Sequence, residues 1–365
     1  MTSVAVRSSE KTAARRGQTA FRGAALRTAA IVASACNSSG SGSDTTVAPV
    51  TTTPSSAVPA DGSADTQADF AGLVDIGGGR KMYLECRGQG TPTVVLVSGY
   101  GDTARVWSVD VPGYPQPHVL PAVAGFTRVC AYDRPGTIGI DNDDPAQRSR
   151  SDPVPQPRAP EDAVADLHAL LQAAPVLGPY VLAGHSLGGA FVRLYAATYP
   201  DAVVGVVLVD ATSEYYRDEG RARLTPEDWA AGVASSGVPP PGLDYPEMER
   251  ADLNAVWGAV ERAVGAQPLH ELPLVVVEHG REDEPPPELA ADLTPGFLDA
   301  QAAAWREGQA RLAALVPDAR QMIATDSGHY IHLEQPALVI EAIRQVVEGV
   351  RHPSTWSDLV SCCAP

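Results

Sequence analysis

Short apolar runs rich in β-branched residues recur along the chain, most of them running into glycine, proline or a polar residue. Leu73–Ile76 and Lys81–Cys86 flank Gly77-Gly78-Gly79 and predict a β-hairpin. Thr93–Val97, Arg128–Tyr132, Tyr180–Ala183, Val203–Val209, Leu274–Val277 and Gln321–Ala324 follow, most of them apolar throughout, as strands covered on both faces are. Helical spacing fills the gaps. Val164, Leu167, Leu170 and Leu171 form one stripe, Phe191, Leu194 and Tyr195 another, and Ala337–Val350 reads as a closing amphipathic helix. Strands alternating with helices predict an α/β domain with a mostly parallel sheet, spanning residues 70–352. The alternation stops between Thr212 and about Leu272. There Tyr215, Tyr216, Trp229, Pro239-Pro240-Pro241 and Trp257 punctuate a polar, helical stretch, which predicts a cap over the strand ends.

The richest stretch is Tyr180–Tyr195. Gly184-His185-Ser186-Leu187-Gly188 fits G-x-S-x-G, Gly189 follows, a strand precedes and a helix succeeds. That context turns a common pattern into a strained strand-to-helix turn presenting a serine hydroxyl. Gly184 and Gly188 leave room where the two backbones approach. The Leu187 amide stands at a helix N-terminus, where an N–H without a helical partner favours a developing oxyanion.

Composition narrows the partners. The chain has 365 residues, 44% of them hydrophobic, enough for a sizeable core. Its formal charge of −17 offers no basic stripe for nucleic acid and no attraction to an anionic membrane. No run approaches the ~18 apolar residues of a membrane span. Five cysteines with no C-x-x-C and no Cys/His cluster predict no metal site. At the N-terminus, Lys11, Arg15, Arg16, Arg22 and Arg27 lead into Thr28–Ala35, a short segment rich in small apolar residues before Cys36. Residues 1–36 thus resemble a bacterial lipoprotein signal, in which Cys36 would carry the lipid and attach the protein to a membrane. Ala33 departs from that pattern, which usually has leucine there. Residues 37–69, almost without large apolar side chains, predict a flexible tether, and residues 353–365, with Cys362 and Cys363, a tail. The expectation is export to the cell envelope or beyond, with the cytoplasm as alternative.

Five motifs in order carry a family resemblance: Val94–Gly101 (VVLVSGYG), Ala131–Gly136 (AYDRPG), Gly184–Gly189 (GHSLGG), Val275–Asp283 (VVVEHGRED) and Ser327–Pro336 (SGHYIHLEQP). Together they resemble the α/β-hydrolase family over roughly residues 75–350, most of all secreted or lipoprotein-type esterases of actinobacteria. The resemblance implies an eight-stranded-type, mostly parallel sheet with flanking helices and a helical cap. It implies Ser186 as nucleophile, His329 as base and Asp283 as the acid that orients it, with Asp210 at the end of the previous strand as the alternative acid. The oxyanion would be held by the amides of Tyr100 and Leu187. Ser98 departs from the histidine that relatives usually carry there. Trp107 is read equally as pocket wall or core, His185 as shaping the elbow beside the pocket, and His332 and His279 as packing or structural groups. The family's strand order also implies a Cys86–Cys130 disulfide, favoured by an oxidising compartment.

The implied activity is hydrolysis of a carboxylic ester or related acyl bond through an acyl-enzyme, with a small-molecule substrate and no cofactor. Dehalogenases and epoxide hydrolases of the same fold use aspartate at the elbow, and serine here argues against them. The same triad could serve an acyltransferase, a peptidase or a lyase. A non-catalytic binding protein on this fold is the reading from a different class.

Overall fold

The computed structural model describes residues 68–110, 113–139, 148–235, 246–282 and 294–356. Residues 1–67, on which the expected lipoprotein signal with Cys36 and the expected tether fall, Asp283, and residues 357–365 with Cys362 and Cys363 lie outside the described residues.

The strands are β1 (Phe70–Gly77), β2 (Arg80–Arg87), β3 (Thr93–Val97), β4 (Val129–Tyr132), β5 (Tyr180–His185), β6 (Val203–Val209), β7 (Leu274–His279) and β8 (Arg320–Ala324). They form one sheet in the order β1-β2-β4-β3-β5-β6-β7-β8. β2 runs antiparallel to both β1 and β4, and every later pairing is parallel. The hairpin turns through Gly77, Gly78 and Gly79, all at positive φ, with the Gly77 amide donating to Asp75 Oδ1 at 2.8 Å.

The helices are α1 (Val119–Val123), α2 (Pro160–Ala173), α3 (Leu187–Thr198), α4 (Glu214–Arg223), α5 (Pro226–Ser235), α6 (Leu253–Ala266), α7 (Phe297–Ala313), α8 (Ile331–Glu334) and α9 (Pro336–Arg351). Period-2 alternation sends each central strand's side chains to two cores. Leu182, Val206 and Val276 meet Leu167 of α2, Leu194 of α3 and Val260 of α6 on one face. Val181, Val207 and Val275 meet Leu120 of α1 with Val339 and Ile343 of α9 on the other. With both faces covered, the strands have no polar side to show, which is why they read as continuous apolar runs.

The stretch expected as a cap contains α4, α5 and α6, but α6 packs on α3 as a layer helix. The helix that packs most closely on α4 is α7, from beyond β7. Two separated segments therefore meet above the strand ends. Among the described residues, no helix is long and apolar enough to cross a membrane.

Cys86 and Cys130 stand opposite each other in the β2–β4 ladder, Cα atoms 4.0 Å apart, and are disulfide-bonded. The C-terminal ends of β3, β5, β6 and β7, and the loop after β8, bring Tyr100, Ser186, Asp210, His279 and His329 to one edge of the sheet.

Candidate active site

The turn after β5 is built around backbone proximity. A methyl group on Gly184 would stand 2.5 Å from the Gly188 carbonyl oxygen, and one on Gly188 would stand 2.2 Å from that of Val97. Neither position tolerates a side chain. Ser186 between them sits at φ 51° and ψ −118°, a conformation that costs a non-glycine residue about 1–3 kcal/mol. The neighbouring strand holds it there: the Ser186 amide donates to Val209 O at 3.0 Å, and its carbonyl accepts from Gly189 at 3.0 Å and Thr212 at 3.2 Å. Leu187 opens α3 directly after it.

The loop after β3 is fixed by a buried ion pair absent from the expected site. Arg134, in the Asp133-Arg134-Pro135-Gly136 turn, donates to Ser98 O at 2.7 Å and Gly99 O at 2.5 Å. Its Nε reaches Glu249 Oε1 at 2.6 Å, and Glu249 Oε2 accepts from the Gly101 amide at 2.7 Å. The Tyr100 hydroxyl donates to Glu249 O at 3.0 Å. Burial weakens the Arg134 charge, but the adjacent Glu249 carboxylate more than offsets this and holds the guanidinium protonated. Burial first, then Glu249, pushes the Tyr100 phenol up to about 12. Gly136 lets the segment dock: a methyl there would stand 2.2 Å from Glu247 O, and its carbonyl accepts the Glu249 amide at 2.8 Å. Ser98 accepts from Trp107 Nε1 at 3.0 Å and donates to Thr103 O at 3.2 Å.

Asp210 sits just past β6 at φ 44°, with its side chain fully buried. Its carboxylate accepts four hydrogen bonds. Oδ2 takes both His329 Nδ1 at 2.6 Å and His279 Nδ1 at 2.7 Å, while Oδ1 takes Trp305 Nε1 at 2.8 Å and the His279 amide at 3.2 Å. Burial alone would push this carboxyl up, but the bonds from His279 and His329 hold it well below the usual carboxylate range. Burial works against the His279 charge, yet bonding to Asp210 and the charges of Asp210 and Glu282 raise it to about 9.

Tyr100, His185, Ser186, Leu187, His279 and His329 line one open cavity of about 390 Å³, with Trp305, Tyr216 and Gln301 on the cap side. Of the two readings of Trp107, pocket wall or core, the structure has the core: fully buried, it packs on His332 with ring centroids 4.7 Å apart. An indole at the root of the loop, its N–H spent on Ser98, has no face left for a pocket. His332 is equally buried, and burial, then the His329 charge, pushes it down to about 3. His185 lies beneath His329, with Nε2 at 3.0 Å from the His329 carbonyl. Burial and the neighbouring histidines hold it well below its ordinary value. Trp305, Arg134 and Glu249 were not foreseen. Arg134 lies within a recognised motif, whereas Trp305 and Glu249 carried no local signal.

Asp102 also lines this cavity, 4% exposed, with a buried Oδ2 that has no hydrogen-bond partner among the described residues. Burial raises its carboxyl to about 7, with Arg134 opposing. An acid whose folded value is raised contributes most below its unfolded value near 4 and loses that contribution as pH rises through about 7. Asp102→Asn is therefore expected to raise stability at pH 8 by at most about 4 kcal/mol and to leave it unchanged at pH 4. Urea unfolding at the two pH values checks this, and equal effects at both would refute it.

Asp210, His279 and His329 form the one group among the described residues whose ligand-type atoms lie within 4.8 Å of one another. Two ligands of a tetrahedral ion with bonds of ~2.0 Å stand about 3.3 Å apart. The separations here are 2.6 and 2.7 Å, shorter than that and within the range of charge-assisted hydrogen bonds to a carboxylate.

A family model described as the alpha/beta hydrolase family matches residues 94–342. Over 163 residues the chain is 31% identical to an uncharacterized protein of Schizosaccharomyces pombe, covering 39% of this chain and 28% of that protein's length. It is 22% identical over 262 residues to the uncharacterized protein YqjL of Bacillus subtilis, covering 71% of this chain and 85% of YqjL. Among solved structures, the carboxylesterase CesB of Bacillus subtilis aligns at 16% identity with a TM-score of 0.48, covering 78% of this chain and 93% of that one.

Proposed function

The chain belongs to the alpha/beta hydrolase family, and from that premise we propose that it is a serine hydrolase cleaving a carboxylic ester or related acyl bond. Ser186 attacks the carbonyl carbon, and its hydroxyl proton passes to His329 Nε2. Asp210 fixes the His329 tautomer by accepting from Nδ1 and stabilises the imidazolium that forms. The amides of Tyr100 and Leu187 receive the oxyanion. The protonated His329 then gives its proton to the leaving alcohol, and a water activated by the same base releases the acid.

One observation carries this reading: His329, 2.6 Å from a buried carboxylate, lines the same cavity as a serine held at positive φ. The fully buried Asp210 replaces Asp283 as our choice of acid. The cavity walls mix aromatic, amide and carboxylate groups with few aliphatic ones, which suits a compact substrate with hydrogen-bonding groups. The Cys86–Cys130 bond fits an oxidising compartment, in keeping with export, with Cys36 as the anchoring residue.

The test is covalent labelling of the full-length protein with a fluorophosphonate, alongside turnover of a short p-nitrophenyl ester. We expect labelling of the parent and none of Ser186→Ala, with turnover reduced at least ~10⁴-fold. A folded parent that takes no label would overturn the reading.

A further inference from the structure

We propose that His279 is a positioning residue that shares the Asp210 carboxylate with His329 and, as an imidazolium, weakens Asp210's hold on the protonated base. This rests on the serine-hydrolase reading above, and it goes beyond it by giving a fourth group a defined effect on the reaction.

The geometry is the starting point. Orienting a catalytic imidazole takes one carboxylate oxygen and one N–H. Here the same oxygen, Asp210 Oδ2, accepts Nδ1–H from two imidazoles at 2.6 and 2.7 Å. The second acceptor, Oδ1, is also occupied, by Trp305 Nε1 and the His279 amide. Asp210 is thus a buried anion whose every acceptor position is in use, two of them by one residue, His279.

His279 is placed to carry a charge. Its Nε2 faces Glu282 Oε2 at 3.5 Å, so the ring stands between two carboxylates with a proton acceptor at each nitrogen. The other groups around it do not reverse this. Glu278 on the same strand is tied to Gln321 Nε2 at 2.7 Å, and Arg306 of α7 binds the other Glu282 oxygen at 2.8 Å. Trp305 packs its ring 6.1 Å from the imidazole, and His329 approaches from the loop after β8 through Asp210. His279, raised to about 9, is therefore cationic through the neutral range. A cation on the same oxygen cancels part of the field with which Asp210 favours the protonated form of the base.

His279→Asn separates charge from hydrogen bonding, because the Asn amide can donate where Nδ1–H does but carries no charge. The measurement is kcat/KM against pH for a short p-nitrophenyl ester, with parent and variant both labelled by the fluorophosphonate. We expect the acid limb of the variant to move up by about one unit, a loss of roughly tenfold at pH 6, with rates matching within about twofold at pH 8.5. A coincident or downward-shifted acid limb in a labelled, folded variant would overturn the proposal. An unlabelled parent would instead sink the hydrolase reading beneath it. Should the variant fail to fold, the proton NMR spectrum of the parent decides. Two low-field imidazole N–H signals that change together on fluorophosphonate labelling are expected, and a single one would refute the shared carboxylate.

Discussion

Asp210→Asn is expected to lower kcat/KM about 10³–10⁴-fold, the largest effect of any substitution outside Ser186 and His329. An amide at this position offers one acceptor oxygen and turns an NH₂ group toward N–H donors. At the Oδ2 position that NH₂ would face both imidazole Nδ1–H groups, and at Oδ1 it would face Trp305 Nε1 and the His279 amide. In either orientation donors lose their acceptor and the imidazole pair must shift or change tautomer. The stability effect has a defined sign. An acid whose folded value is lowered contributes above its unfolded value, near 4, and loses that contribution as pH falls through the folded one. The variant should be less stable than the parent at pH 7 and converge with it in strong acid. Asp283→Asn is the comparison. On our assignment it stays within about tenfold of the parent, and a larger loss there than in Asp210→Asn would reassign the acid.

Glu249→Ala should lower stability by about 3–5 kcal/mol, because it leaves Arg134 charged, 4% exposed and without its carboxylate. It should also slow turnover about 10–100-fold. Glu249 holds the Gly101 amide directly, and through Arg134 it holds the carbonyls of Ser98 and Gly99, so its loss frees the loop presenting the Tyr100 amide. The double variant Arg134→Met/Glu249→Leu separates the two effects. Replacing both charges by apolar groups removes the stranded cation, so stability should return while the rate stays low. Urea unfolding and ester turnover measured on the same samples test this. A single variant costing under about 1 kcal/mol, or a double variant at the parent's rate, would refute it.

The strands were legible because both faces are buried, so runs such as VVGVVLV carry little polarity to confuse with loops. The elbow was legible because its geometry demands glycine at Gly184 and Gly188, and the demand leaves a spelled motif. Groups joined across long sequence distances left no such mark. Glu249 meets Arg134 across 115 positions and Trp305 meets Asp210 across 95, and neither Glu nor Trp has a spacing that announces a partner. Our preference for Asp210 over Asp283 as the acid was equally hidden. Motif position favoured Asp283, whereas the positive φ of Asp210, which a short polar residue tolerates, is a property of the folded turn. The cap was blurred for a related reason. An amphipathic helix shows which face it buries but not against what, so α6 was read with the cap although it packs on α3, and α7 was not read at all.

The Cys86–Cys130 bond does more than tie two strands. A one-residue slip of β2 against β4 would send Cys86 to the opposite face of the sheet, out of reach of Cys130. Oxidation therefore proofreads the alignment, trapping chains whose β2 is correctly seated. That alignment travels onward. β2 carries the Lys81 carbonyl, which accepts from the Asp152 amide at 2.9 Å, and the Tyr83 amide, which donates to Ser151 Oγ at 2.9 Å. These bonds seat Arg150, whose Nε meets Asp133 at 2.7 Å, and Asp133 in turn accepts the Ala104 amide at 2.8 Å. The loop bearing Tyr100 thus takes its footing from a cystine remote from Ser186, and a mispaired chain would carry every residue of the site while failing to assemble it.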